Sequence, residues 1–148
     1  MNEIQMKHRF LFPASYNDLK SSILLLFLRL AFGGMLMTHG VNKWLNFDSL
    51  KDRFPDPLHV GSCVSLSMVI FAEVVCCLGF ITGTLFRLAL LPMMFSMFMI
   101  VFVVNEGQPF APRELAALYF SLFLVCFAAG PGSMSLDRQW IRRMMGNA

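Results

Sequence analysis

Residues 62–81 read SCVSLSMVIFAEVVCCLGFI, an apolar run of bilayer length interrupted by a single charge, Glu73. A helix that crosses a bilayer needs about 20 mostly apolar residues to match a hydrocarbon core about 30 Å thick. The run does not alternate polar with apolar residues, as a barrel strand must, so its length and continuity predict a transmembrane helix. Working outward, three further runs have the same character. Residues 19–44 (LKSSILLLFLRLAFGGMLMTHGVNKW) precede it, with Arg29 and His39 inside. Residues 85–104 follow it across a tight turn at Thr82 and Gly83, and the sequence Asn105–Glu106–Gly107–Gln108–Pro109 breaks that third run. Residues 114–129 form the fourth, and Gly130–Pro131–Gly132 is a strong helix stop.

The composition agrees. Of 148 residues 57% are apolar and 14% charged, against about 45–50% and about 25% in soluble domains. The mean hydropathy is +0.63. That many apolar side chains cannot be hidden inside one small globule, which keeps roughly a third of its surface in water. The chain is therefore read as all-α, a transmembrane four-helix bundle, and not as a disordered or disulfide-stapled chain. Twelve Lys+Arg against nine Asp+Glu leave a net charge of +3, which implies no nucleic-acid partner. The four cysteines, Cys63, Cys76, Cys77 and Cys126, fall inside the apolar runs without metal-site spacing. Thiols surrounded by apolar side chains are unreactive, and these are read as packing residues. The methionine run at 93, 94, 97 and 99 is packing material in the same sense, and no metal site is expected.

Three segments follow. Residues 1–18 form a cytoplasmic N-terminal segment, 19–132 the membrane domain, and 133–148 a basic cytoplasmic tail. The first run contains Arg29 and His39 and lacks an A-x-A site after it, so it is read as a retained helix rather than a leader. Basic residues are richer on the side of the two ends (Lys7, Arg9, Lys20, Arg87, Arg138, Arg142, Arg143) than on the other (Lys43, Lys51, Arg53, Arg113). That bias predicts a multi-pass protein of the cytoplasmic (inner) membrane with both termini in the cytoplasm.

Ionisable groups within the runs are the chemical clue, since each costs about 2.5–3.5 kcal/mol at mid-bilayer on insertion scales. Glu73 lies near the middle of its run. Arg29 lies about 10 Å into the first, so the two are expected to face each other across helices one and two. Such a pair either fixes helix register or keeps a proton-exchangeable carboxylate beside a ligand, and both readings stand at this level. Arg87 opens the third run, where it can snorkel to the interface or join Glu73 from below. His39, about 15 Å beyond Arg29, is expected near the outer interface with Asn42, Lys43, Asn105, Glu106, Arg113 and Glu114. Its imidazole holds or releases a proton near neutral pH, which fits proton exchange or ligand binding, with solvation by headgroups as the plain alternative. Gly33 and Gly34, with Gly40 beyond, let a neighbouring helix approach closely.

These pieces together resemble the DoxX family of small four-helix membrane proteins. The matching segments are RLAFGGMLMTHGVNKW, FAEVVCCLGFITG leading to Arg87, and ELAALYFSLFLVCFAAGPGSMSLD. The resemblance puts the family's helix-one arginine and histidine on Arg29 and His39. Its alanine–glutamate falls on Ala72 and Glu73, its helix-three arginine on Arg87, and its closing motif on Gly130, Pro131 and Gly132. Relatives often carry a histidine where this chain has Asn105, and glycines where it has Cys76 and Cys77. The resemblance implies a four-helix bundle and a link to quinone-dependent redox complexes.

The leading expectation is a membrane subunit of a quinone-linked complex, with quinone as a ligand and no covalently bound cofactor. Glu73 and His39 would exchange protons, while Arg29, Arg87, Asn105 and Glu114 line the ligand site. Gly33, Gly34, Gly130, Pro131 and Gly132 are assigned to structure. Partners are the lipid bilayer, a redox subunit that supplies electrons, and, as an open option, further copies of the chain. A non-catalytic scaffold or assembly role is the alternative, and a small transporter a third.

Overall fold

A computed structural model describes residues 19–140. The segment 1–18, with Lys7 and Arg9, and the basic residues Arg142 and Arg143 lie outside the described residues. Among the described residues, four helices are long and apolar enough to cross a membrane: α1, Lys20–Leu45; α2, Ser62–Thr82; α3, Phe86–Val104; and α4, Ala111–Ala129. No strand occurs among the described residues. Helices adjacent in sequence pack side by side. Ring contacts close the bundle, with Phe32 of α1 edge-on to Tyr119 of α4 and Phe80 of α2 against Phe123 of α4. The apolar core is built on Leu36, Phe80, Leu90, Met93, Met97 and Phe123.

Two devices make the ends. Gly83 terminates α2 in a left-handed conformation (φ 72°) that a side chain rarely adopts. Leu85 then sits at φ 45°, an unfavourable value for a non-glycine residue. Its amide donates to Asp137 Oδ1 at 2.9 Å and that of Phe86 to Oδ2 at 3.1 Å, so a carboxylate 52 residues downstream caps α3. At the other end, a loop over residues 46–61 contains one helical turn, Phe47–Leu50. Asp56 in that loop accepts from the amides of Val60 and Gly61 and from the Ser65 hydroxyl, tying the loop to the start of α2.

Packing against the bundle continues past Gly132 into the first residues of the basic tail. Ser135 and Asp137 are buried. Ser133 donates from its amide at 3.2 Å to Ser22 Oγ, and the two hydroxyls lie 2.5 Å apart.

Candidate functional site

The register of α1 against α2 decides which polar groups meet. A Cβ added at Gly33 would stand 2.5 Å from Ile81 Cγ1, and one added at Gly40 would stand 2.7 Å from Glu73 Cβ. Gly33 and Gly40 are therefore the two points where the helices touch backbone to side chain. The Cys77 thiol bridges the same seam, donating to the Gly33 carbonyl at 3.0 Å. This register puts Arg29 level with the end of α2 and Gly40 level with Glu73, about 16 Å apart along α1.

The expected Arg29–Glu73 pair does not form. Arg29 is 2% exposed and donates from Nη1 to the Pro131 carbonyl at 2.6 Å. Its Nε and Nη2 reach the Ile81 carbonyl at 3.2 and 2.9 Å. Its charge thus caps the carbonyl end of α2 and the segment that closes α4, where helix dipoles favour a cation. The two groups do not share a level because α1 overhangs. Its first turns run past the α2–α3 turn and lie against residues 132–133.

Glu73, 2% exposed, pairs instead with Lys43 of α1, whose ammonium donates to Oε2. The carboxylate lies about 14 Å from the end of α2, near mid-depth. It belongs to a π-helical turn, Phe71–Cys76, a local widening often found at functional sites. His39 acts on Glu73 electrostatically from the outward side of α1. The same register that brings Gly40 onto Glu73 thus sets His39 near mid-depth, not at the outer interface. Tyr119 of α4 is also within electrostatic reach, and its buried hydroxyl has no hydrogen-bond partner.

Beside this group lies an apolar cavity of about 500 Å³ between α2 and α3, roofed by loop residues Phe54, Pro55, Pro57 and Leu58. Lys43 is the charged residue in its wall, and Ser65, Ser67 and Ser96 are its other polar side chains. Lys43 therefore touches both the cavity and the buried carboxylate.

The other expected residues are elsewhere. Arg87 lays its guanidinium over the Phe127 ring at 5.2 Å, joining α3 to α4 near the turn end rather than reaching Glu73. Asn105 donates from Nδ2 to the Ile100 carbonyl at 2.8 Å and closes α3. Glu114 is exposed at the start of α4. Arg113 reaches the carbonyls of Gln108 and Val101 at 2.8 and 3.4 Å, holding the α3–α4 connection. Gly34 faces open space, so of the three α1 glycines Gly33 and Gly40 serve helix approach. Sequence reasoning passed over Lys43 as interfacial and Asp137 as part of the tail. It gave no role to Ser96 or Tyr119, which carry no charge to mark them.

A family model described as DoxX matches residues 24–106. The match takes in α2 and α3 and most of α1, with Arg29, His39, Lys43, Glu73 and Ser96. No curated protein and no solved structure matches the chain. With more than half of its length matched, and with the four membrane-length helices described above, the chain belongs to the DoxX family.

Proposed function

We propose that this DoxX protein is the quinone-binding membrane subunit of a redox complex. One observation carries the reading: Lys43 is shared between a buried mid-depth carboxylate and the wall of an apolar cavity. Reducing a quinone to a quinol takes up two electrons and two protons. The electrons come from a partner subunit, and the protons must be delivered inside a low-dielectric bundle. The Lys43 ammonium can donate to a carbonyl oxygen in the cavity, and Glu73 can return the proton to it. His39 stands on the outward side of the same group, where its imidazole can pass a proton to Glu73. The residues present fit such a ligand, since the walls are apolar and the polar contacts few.

The same reading has the chain in a cytoplasmic membrane with both ends inside, supported by the bias of basic residues. Arg29 drops out of the ligand site. Its bonds go to backbone carbonyls, which favours the scaffold reading for that residue.

The test is titration of the purified protein with decyl-ubiquinone, followed by intrinsic fluorescence quenching. Saturable binding that weakens about tenfold or more in Glu73→Gln is expected. Absence of saturation, or affinity that ignores Glu73→Gln, would end the reading.

A further inference from the structure

The cavity between α2 and α3 has a feature that the proton-exchange group does not use. Ser96 of α3 is 7% exposed, lines the cavity, and its Oγ has no hydrogen-bond partner. The other two hydroxyls in the wall are committed. Ser65 donates to Asp56 at 2.6 Å and Ser67 to the Cys63 carbonyl at 2.8 Å. A buried hydroxyl in an apolar wall is unfavourable until something accepts or donates there. Ser96 is also about 15 Å from the start of α3, so it lies near the depth of Glu73.

The mouth faces lipid. Val64, Met68, Phe71 and Phe95 line the cavity and are each about half exposed on the outside of the bundle. A ligand can therefore enter sideways from the bilayer without unpacking the core. Charge narrows its class. Lys43 is already neutralised by Glu73, so an anionic head would bring an uncompensated charge into low dielectric, and a cation would meet Lys43 directly. The volume lies within the range of small-molecule sites.

We infer that this cavity is a lateral site for an uncharged, carbonyl-bearing ring, with Ser96 donating to one carbonyl oxygen and the tail leaving between α2 and α3. The inference rests on the reading above for the class of ligand and for the cavity, but it commits to a donor and a route of entry that the reading does not.

The experiment measures binding of three probes to the full chain in lipid nanodiscs: decyl-benzoquinone, decylbenzene and oleate. Each is compared across wild type, Ser96→Ala, Met68→Trp and Glu73→Gln. Alanine is a good helix former and removes only the hydroxyl, and Met68 lies on the outer wall, so neither variant overpacks the core. Ser96→Ala is expected to weaken the quinone roughly five- to tenfold, the worth of one hydrogen bond, and to leave decylbenzene unchanged. Met68→Trp is expected to weaken both by narrowing the mouth. Quinone binding that responds to Glu73→Gln but ignores Ser96→Ala and Met68→Trp overturns the Ser96 contact and the lateral entry and spares the proton-exchange reading. The opposite pattern spares the site and overturns that reading. Oleate binding more tightly than the quinone overturns the neutral-head assignment, and no saturable binding of any probe overturns the site altogether.

Discussion

Arg29 donates to the carbonyl oxygen of Pro131 at 2.6 Å, joining two residues 102 positions apart, while its other nitrogens hold the carbonyl of Ile81. One guanidinium thus ends two helices. Its planar fork serves both carbonyls at once, which a single ammonium cannot do in the same geometry. Arg29→Met is expected to lower stability by about 2–4 kcal/mol, because two buried acceptors lose a charged donor. Arg29→Lys should recover only part of that. Thermal unfolding in detergent micelles checks it, and a lysine variant as stable as wild type would refute the double-cap role.

Lys43 and Glu73 form a different kind of bond, one between two charges at lipid depth. Removing one partner strands the other, at a cost of about 3–5 kcal/mol for a buried pair. Lys43→Met and Glu73→Gln are each expected to destabilise, and Lys43→Met strongly. The double variant should be more stable than the sum of the two effects predicts. A double-mutant cycle on unfolding free energies reads this directly. Additive effects would mean that the two side chains do not share their charge.

Gly40 and Gly34 make a paired control on α1. A Cβ at Gly40 meets Glu73 Cβ at 2.7 Å, Val74 Cγ2 at 2.8 Å and the Glu73 carbonyl carbon at 3.0 Å, and backbone cannot step aside. At Gly34 nothing lies within 4 Å. Gly40→Ala should therefore push α1 from α2 and destabilise by about 1–3 kcal/mol, as overpacking does. Gly34→Ala should be neutral or stabilise by up to about 1 kcal/mol through helix propensity. Equal effects at the two sites would contradict the register.

That register is what the sequence leaves illegible. The four helices are legible because bilayer thickness imposes a length on each, and Gly130–Pro131–Gly132 and Gly83 mark their ends. The partner of Glu73 is not, because a depth counted from the start of α1 assumes that every helix begins at one membrane edge. α1 runs 26 residues and overhangs the 21 residues of α2, so a count from its start gives the wrong level. Glycines mark points of close helix approach, but which of them touches α2 depends on the face that each presents. Asp137 was hidden for a related reason. A cap is readable when it immediately precedes its helix, and this one arrives from 52 residues downstream.

Asp137 also offers a clean energetic test. Its two oxygens satisfy the first amides of α3 and hold Leu85 at φ 45°. Asp137→Ala is expected to cost about 1–2 kcal/mol, the usual worth of a cap. Leu85→Gly should return part of the strain, since glycine adopts that backbone freely. Melting temperatures of the single and combined variants check both. A Leu85→Gly chain less stable than wild type in the Asp137→Ala background would show that the residue's packing outweighs its backbone conformation.

Asp56 governs the roof of the cavity, and pH reaches it there. The Ser65 hydroxyl, first, and the amides of Gly61 and Val60 hold its carboxyl below the ordinary aspartate value. A carboxyl whose folded value is depressed contributes stability that is present above its unfolded value, about 3.9, and lost as pH falls through the folded one. Loop anchoring is therefore expected to be intact at neutral pH and to fade below about pH 4. Hydrogen-exchange protection factors of the Val60 and Gly61 amides, corrected for intrinsic rate, read it locally. Asp56→Asn should abolish the pH dependence and lower protection at every pH, because a neutral amide is a weaker acceptor than a carboxylate. Protection that stays constant from pH 6 to pH 3 in the wild type would mean that the loop is held by the apolar contacts of residues 54–58 rather than by this carboxylate.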